Sequence, residues 1–310
     1  MDIPTFDDVV AAAGRIAPFV HRTPVLSSAT LDAELEATVF FKCENLQKVG
    51  AFKARGATNA VMGLPDDAAA GGVATHSSGN HGQAVAFAAA ARGIRAWVVM
   101  PDHAPSVKVE AVRGYGAEVV FCKQAERESR TRELVAETGA MLVHPFDNSA
   151  VIAGQGTAAL EFFEDIPDLD VIVTPVGGGG LLGGTSLVAR TIGPSVRVVG
   201  GEPEAVDDAF RSIRDGTLYP AVASPNTLAD GLLTGLGERN FALLNGNVDI
   251  VTVTEDEIVA AARFFVERMK IVVEPSGAVS LAAIRKMNVA GLRVGAILSG
   301  GNTDFRWLDR

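Results

Sequence analysis

Short, continuously apolar runs alternate along this chain with longer alanine-rich stretches. The sequence passes from Gly72-Val73-Ala74-Thr75 to Ala84 to Arg92, then Ala96-Trp97-Val98-Val99-Met100, then Ser106 to Tyr115, then Ala117 to Phe121. Strands that are apolar throughout, with no polar residue at every second position, suit a sheet covered by helices on both faces, and the strand–helix–strand rhythm makes that sheet parallel. Val171-Ile172-Val173, Val196 to Val199 and Val294 to Leu298 extend the pattern into the second half of the chain. The reading is an open α/β architecture with right-handed crossovers. Such a fold needs apolar mass to bury. Of 310 residues 48% are hydrophobic and 21% charged, which excludes wholesale disorder, and a length above about 250 residues favours two lobes over one core.

Charge and cysteine content narrow the function. Twenty-seven Lys and Arg against 37 Asp and Glu leave a net charge of −10 with no dense basic cluster, so a nucleic-acid partner is not expected. Cys43 and Cys122 stand far apart and outside any CxxC spacing, which indicates neither a disulfide framework nor a thiolate zinc site. Met1-Asp2-Ile3-Pro4 carries no basic segment followed by an apolar one, and no 18-residue apolar run occurs. A cytoplasmic enzyme with no membrane association is therefore expected. The stretch Lys123 to Glu137 reads as one amphipathic surface helix with solvated charges, Arg130 being set apart below.

Three turns and one lysine hold the chemistry. Thr75-His76-Ser77-Ser78-Gly79-Asn80-His81-Gly82 lies between an apolar strand and a helical segment, where free amides and the helix dipole suit a carboxylate; ordinary N-capping by serine or asparagine is the plainer reading. Val176-Gly177-Gly178-Gly179-Gly180-Leu181 follows the strand Val171 to Thr174. Four bare glycines ahead of a helix starting near Leu181 favour a phosphate over a simple hinge. Ser299-Gly300-Gly301-Asn302 again ends an apolar strand, and ligands of open α/β sheets collect at such ends. Lys53, within Gly50-Ala51-Phe52-Lys53-Ala54, sits among small and aromatic residues. It is either a snorkelling surface lysine or an amine whose charge is suppressed for covalent chemistry.

A rival reading comes from the same glycines. Gly178, Gly180 and Gly183 satisfy G-x-G-x-x-G after a strand, with Glu202 nineteen residues beyond Gly183, so an NAD-dependent dehydrogenase is an alternative. It leaves Lys53 and the serine turn without a task.

Taken together, Phe52-Lys53, Ser77-Ser78-Gly79-Asn80-His81-Gly82, Gly177 to Gly180, Ser299-Gly300-Gly301-Asn302 and Ile152-Ala153-Gly154-Gln155-Gly156-Thr157 resemble the pyridoxal-phosphate-dependent serine/threonine dehydratase and serine racemase family, which includes 3-hydroxyaspartate dehydratases. The motifs occur in family order across residues 50 to 302. The resemblance implies the two-lobed open parallel-sheet fold of the tryptophan-synthase-β-like enzymes, with residues 1–71 and 150–310 forming a large cofactor-binding domain and 72–149 a small mobile one. It also implies that Lys53 holds pyridoxal 5'-phosphate covalently, Phe52 packs on the ring and Asn80 bonds the ring hydroxyl. Gly177, Gly178, Gly179, Gly180 and Leu181 would cradle the phosphate, Gly231 would line the ring and Ser299 would meet the pyridine nitrogen. Ser77, Ser78, Gly79, Asn80 and His81 would bind the substrate carboxylate.

A hydroxyl at the pyridine nitrogen makes a weaker electron sink than a carboxylate would, which suits elimination better than transamination. The expected reaction is loss of water from a 3-hydroxy amino acid (L-serine, L-threonine or 3-hydroxyaspartate), giving an oxo acid and ammonia, with serine racemisation as the alternative. Ser78, placed opposite Lys53, would be the second base that racemisation requires, or else a residue that caps the helix and binds the carboxylate. Arg130, in Glu128-Ser129-Arg130, resembles a position that closes onto a second carboxylate, with Thr234 adding a hydroxyl; a surface arginine is the plainer reading. The family further implies a divalent cation (Mg²⁺, Ca²⁺ or Mn²⁺) on Glu202, Asp208 and the Val206 carbonyl, and a homodimer.

Overall fold

The alternation of apolar runs and alanine-rich stretches resolves into two sheets. The computed structural model describes residues 2–77, 79–104 and 106–309, the side chains of residues 107 and 309 excepted. The described residues form ten strands: β1 Val25–Ser27, β2 Thr38–Lys42, β3 Val73–His76, β4 Ala96–Pro101, β5 Glu118–Cys122, β6 Met141–Leu142, β7 Val171–Pro175, β8 Arg197–Pro203, β9 Asp249–Val253 and β10 Arg293–Ile297. The larger sheet has the order β1-β2-β10-β7-β8-β9 and the smaller β5-β4-β3-β6. All neighbours run parallel except β1 and β2, where Leu26 lies opposite Phe41 in antiparallel register. The expected parallel-sheet architecture is present, and the antiparallel pair lies at its edge, where a three-residue strand with only one neighbour tolerates reversal.

Burial follows position in the sheet. Every residue of β4 and β7 is buried, as two-sided helix cover requires, whereas edge strand β5 exposes Glu118 and Phe121. Separate apolar clusters fill the two faces of each sheet. The helix expected over 123–137 is broken. A 3-10 turn at Gln124–Glu126 reverses the chain after β5, and the α-helix runs over Arg127–Thr138.

Both sheets carry their reversal of strand order at the same place. In the larger one the chain leaves β7 for β8 on one side, while β10 enters on the other; in the smaller one β4 and β6 flank β3. The carboxyl ends of β7, β10, β3 and β6 therefore open crevices at their switch points, and these ends bear Gly177–Gly180, Ser299–Gly301, Ser77 and His144–Asp147 respectively. Between the two sheets lies the helix Lys53–Met62, packed on the helix Ser149–Asp165. The approach is close because both partners present glycine: a Cβ on Gly154 would lie 2.6 Å from the Gly56 Cα, and one on Gly56 would lie 2.6 Å from the Val151 carbonyl.

Candidate active site

Lys53 is placed by main-chain pairing with the last turn of the larger sheet. Phe52 N donates to Ser299 O at 3.0 Å, Gly301 N donates to Gly50 O at 2.9 Å, and Ala51 bridges Gly300. Gly50 adopts φ +69, and a side chain there would collide with Asn302 at 2.6 Å. Two turns of sequence so distant that no local rule pairs them thus become one platform. Below Lys53 the helix is pinned by the fully buried Arg55, whose Nε and Nη2 donate to Glu44 at 2.7 and 2.8 Å and whose Nη1 donates to Glu161 at 2.7 Å. Removing one member of such a buried pair typically costs about 3–5 kcal/mol, because the partner charge is left desolvated.

The Lys53 ammonium donates to Pro145 O at 2.8 Å and lies 5.0 Å from the Phe52 ring centroid. Burial lowers its pKa to about 8, so a sizeable neutral fraction exists near neutral pH. It faces a crevice of about 1300 Å³ between the two sheets, lined also by Phe52, Asn80, the glycine turn, Gly231 and Ser299.

The glycine turn fits a phosphate. Gly179 has φ +88, and side chains on Gly177, Gly178 or Gly179 would meet Leu232, Phe146 or Leu236 at 2.9 Å or less. The carbonyl of Gly178 is used up by Asn240 Nδ2 at 2.7 Å and Gly237 N at 3.1 Å. Among the described residues no acceptor pairs with the amides of Gly177, Gly178, Gly179, Gly180 or Leu181. Unpaired donors ahead of the helix Gly180–Ile192 are what a phosphate dianion requires. On the far side, Asn80 Nδ2 donates to Glu274 Oε1 at 2.9 Å and Asn80 Oδ1 accepts from Asn302 Nδ2 at 2.8 Å, which leaves one amide hydrogen of Asn80 for a ligand. Ser299 is 3% exposed on the same wall.

Other expected residues fall in different places. Ser77, Gly79 and His81 line the crevice, while Ser78 lies outside the described residues. His81 Nε2 meets Val143 O at 3.0 Å, so that nitrogen carries the proton, and burial keeps the ring neutral. His81 thus brings no positive charge to a carboxylate. Arg130 is held by Glu133 and Glu137 on its own helix and is not among the crevice-lining residues; its neighbours Arg127 and Arg132 are. An α-helix beginning at Arg127 sets this facing, which no periodicity across 123–137 indicated.

Glu202 is 1% and Asp208 2% exposed, outside the crevice. Glu202 accepts from Ala209 N and Phe210 N, and Asp208 from Leu236 N. Burial pushes Glu202 up to about 8 and Asp208 up to about 6, the Arg211 charge partly offsetting the rise at Asp208. Among the described residues no donor reaches the Val206 carbonyl, and no cluster of three or more His, Cys, Asp or Glu side chains could hold a metal. Two buried carboxylates with a free carbonyl have the donor chemistry of a hard divalent cation. The dehydrogenase reading lacks its acidic residue: Glu202 is buried and does not line the crevice, so it is not placed to meet a ribose hydroxyl there.

Sequence reasoning missed Glu274, Lys108, Asp230, His144 and Arg127 as crevice residues. Only Glu274 left a signal, as the residue before Pro275 at a helix start.

Comparison with known proteins agrees with this geometry. The chain is 47% identical over 309 residues to serine racemase from Dictyostelium discoideum, covering 97% of this chain and 95% of that protein; the crystal structure of that racemase superposes with a TM-score of 0.93. It is 47% identical over 310 residues to a beta-hydroxyaspartate dehydratase from Paracoccus denitrificans, covering 98% of each. The crystal structure of a T.th. threonine deaminase, 45% identical, superposes with a TM-score of 0.93 over 97% of this chain and 99% of that one. The family model "Pyridoxal-phosphate dependent enzyme" matches residues 16–300, and the chain belongs to that family.

Proposed function

We propose that this chain is an ammonia-lyase acting on 3-hydroxy amino acids, with 3-hydroxyaspartate preferred to serine and threonine. The observation that carries the reading is Lys53, a suppressed amine standing between unpaired phosphate-type donors and Ser299 in one crevice. Pyridoxal phosphate, when bound, supplies the electron sink that lets the α C–H bond break. Lys53 Nζ is the base for the α-proton. Gly177 to Leu181 hold the phosphate by their amides, Asn80 offers its free amide hydrogen, and Ser77 with the amides of its turn binds the α-carboxylate. Departure of the β-hydroxyl as water and hydrolysis of the resulting imine leave a 2-oxo acid and ammonia. A relative named beta-hydroxyaspartate dehydratase supports this substrate class.

Serine racemisation is a second reading, favoured by the relatives named serine racemase. It requires a proton donor on the face opposite Lys53, the role assigned to Ser78; Ser78→Ala would then abolish D-serine formation and spare much of the elimination. The protein acts as a cytoplasmic homodimer in this reading, with residues 72–149 moving over the rest and a divalent cation on Glu202, Asp208 and the Val206 carbonyl. Among the described residues no helix is long and apolar enough to cross a membrane.

The deciding experiment is Lys53→Ala. It should remove both the near-visible absorbance of the bound cofactor and ammonia release by about a thousandfold or more, with unchanged far-UV circular dichroism. A variant that keeps either signal would sink the assignment.

A further inference from the structure

One wall of the crevice carries a row of groups that the reaction above does not use. His144 follows β6, and its Nδ1 accepts the amide hydrogens of Asp147 at 3.0 Å and Phe146 at 3.5 Å, so the ring proton resides on Nε2 as a donor. Burial, together with the neighbouring His76 and Lys53 charges, brings its pKa down to about 4, which keeps the ring neutral. Its ring stands edge to face with His76 at 5.5 Å, at the end of β3. Arg127, the first residue of its helix, lines the same wall, near enough to His76 to act on that imidazole electrostatically. Arg127 Nε donates to Gln124 O at 3.3 Å, and among the described residues no carboxylate pairs with it. Arg130, three residues on, has two. The row therefore starts at Lys53, passes His144 and His76, and ends on a half-buried guanidinium whose two Nη groups have no partner among the described residues.

We propose that Arg127, backed by His76 and His144, is the seat of the substrate's distal carboxylate and so sets the preference for a dicarboxylic over a monocarboxylic 3-hydroxy amino acid. The inference rests on the ammonia-lyase reading and names its substrate class. A four-carbon substrate whose amino end is at Lys53 extends along this wall, and a planar guanidinium matches a carboxylate in two parallel hydrogen bonds. The neutral His144 adds a donor without adding charge. Serine leaves the seat unfilled, so the Nη groups of Arg127 gain no carboxylate partner.

The test uses the holoenzyme and two readouts. The first is kcat/KM for L-threo-3-hydroxyaspartate and for L-serine in the parent, Arg127→Gln and Arg127→Lys. The second is the Kd of the non-reacting succinate against that of propionate, by calorimetry. Arg127→Gln should lower the hydroxyaspartate-to-serine ratio about 30-fold or more and remove the preference for succinate, and Arg127→Lys, which keeps charge but not the fork, should fall between. Melting curves and circular dichroism establish that the variants are folded; should Arg127→Gln misfold, Arg127→Lys carries the comparison. An unchanged ratio in a folded variant, equal binding of succinate and propionate by the parent, or loss of preference in Arg130→Gln instead would each overturn the proposal. Failure of the underlying reading shows differently: no ammonia from any 3-hydroxy amino acid. The binding arm still decides the seat in that event.

Discussion

Lys108 Nζ lies 2.7 Å from Asp230 Oδ2, joining the helix after β4 to the turn Asp230–Leu232 across the mouth of the crevice. The two side chains are 28% and 51% exposed, so the pair contributes about 0.5–1 kcal/mol at most and is screened by salt. Its effect is on the relative placement of the two sheets. With the proposed closure of residues 72–149 over the rest, Lys108→Met should raise KM about two- to fivefold, with little change in kcat. The melting temperature should shift by no more than about 4 °C. Steady-state kinetics at low and high salt check this, and a parent KM indifferent to salt would count against the clasp.

The contact between the Lys53 helix and the Ser149–Asp165 helix predicts a strong glycine requirement. A Cβ on Gly56 would sit 2.4 Å from Gln155 Nε2 and 2.6 Å from the Val151 carbonyl, and backbone cannot yield as a side-chain tip does. Gly56→Ala should destabilise by about 1–3 kcal/mol and displace Lys53, lowering cofactor affinity with it. Calorimetry and cofactor titration measure the two effects; a variant as stable as the parent would show that the helices part at little cost.

How much of this was legible beforehand divides along one physical line. Val171–Thr174 followed by four glycines is a local pattern, and the strand, turn and helix start appear where the residues put them. The serine turn is legible for the same reason, since it follows the carboxyl end of a strand, and Lys53, at the start of its helix, is legible only in that company. Glu274, Lys108 and His144 are different. Their roles depend on pairings such as Asn80 with Glu274, 194 residues apart, and Lys108 with Asp230, 122 apart. No propensity or period encodes these separations. At Arg130 the gap is smaller: the 3-10 turn Gln124–Glu126 precedes an α-helix that starts at Arg127, and in this arrangement Arg127, not Arg130, lines the crevice.

Glu274 imposes a pH dependence. It is 3% exposed, and burial together with the Asp230 charge raises its pKa to about 8 from an ordinary 4.5. The folded state thus favours the protonated carboxyl. Its contribution to stability is complete below about pH 4.5, is lost as pH rises toward 8, and levels beyond, at a slope of at most about 1.4 kcal/mol per pH unit. Glu274→Gln should flatten the decline in melting temperature between pH 5 and 8 relative to the parent. Parallel pH profiles for the two proteins would show that Glu274 titrates normally.

Metal dependence gives the last prediction. Glu202 and Asp208 place two carboxyl groups in a nearly solvent-free pocket, with backbone amides as their hydrogen-bond donors. Burial raises both pKa values against these amides, to about 8 for Glu202 and about 6 for Asp208. A divalent cation would supply the missing charge and take the Val206 carbonyl as a third oxygen. Because it binds the folded state alone, it stabilises by mass action, about 2.7 kcal/mol at a hundredfold excess over Kd. Chelator should therefore lower the melting temperature of the parent, and Mg²⁺, Ca²⁺ or Mn²⁺ should restore it in proportion to the logarithm of concentration. Asp208→Asn should start near the chelated value and respond to neither. Neither carboxylate lines the crevice, and Asp208 reaches it only through the Leu236 amide, so activity should follow stability instead of leading it: at a temperature where both forms are folded, chelation should change kcat less than it changes the melting curve. A parent whose melting point ignores both chelator and metal would leave Glu202 and Asp208 as buried, hydrogen-bonded structural groups.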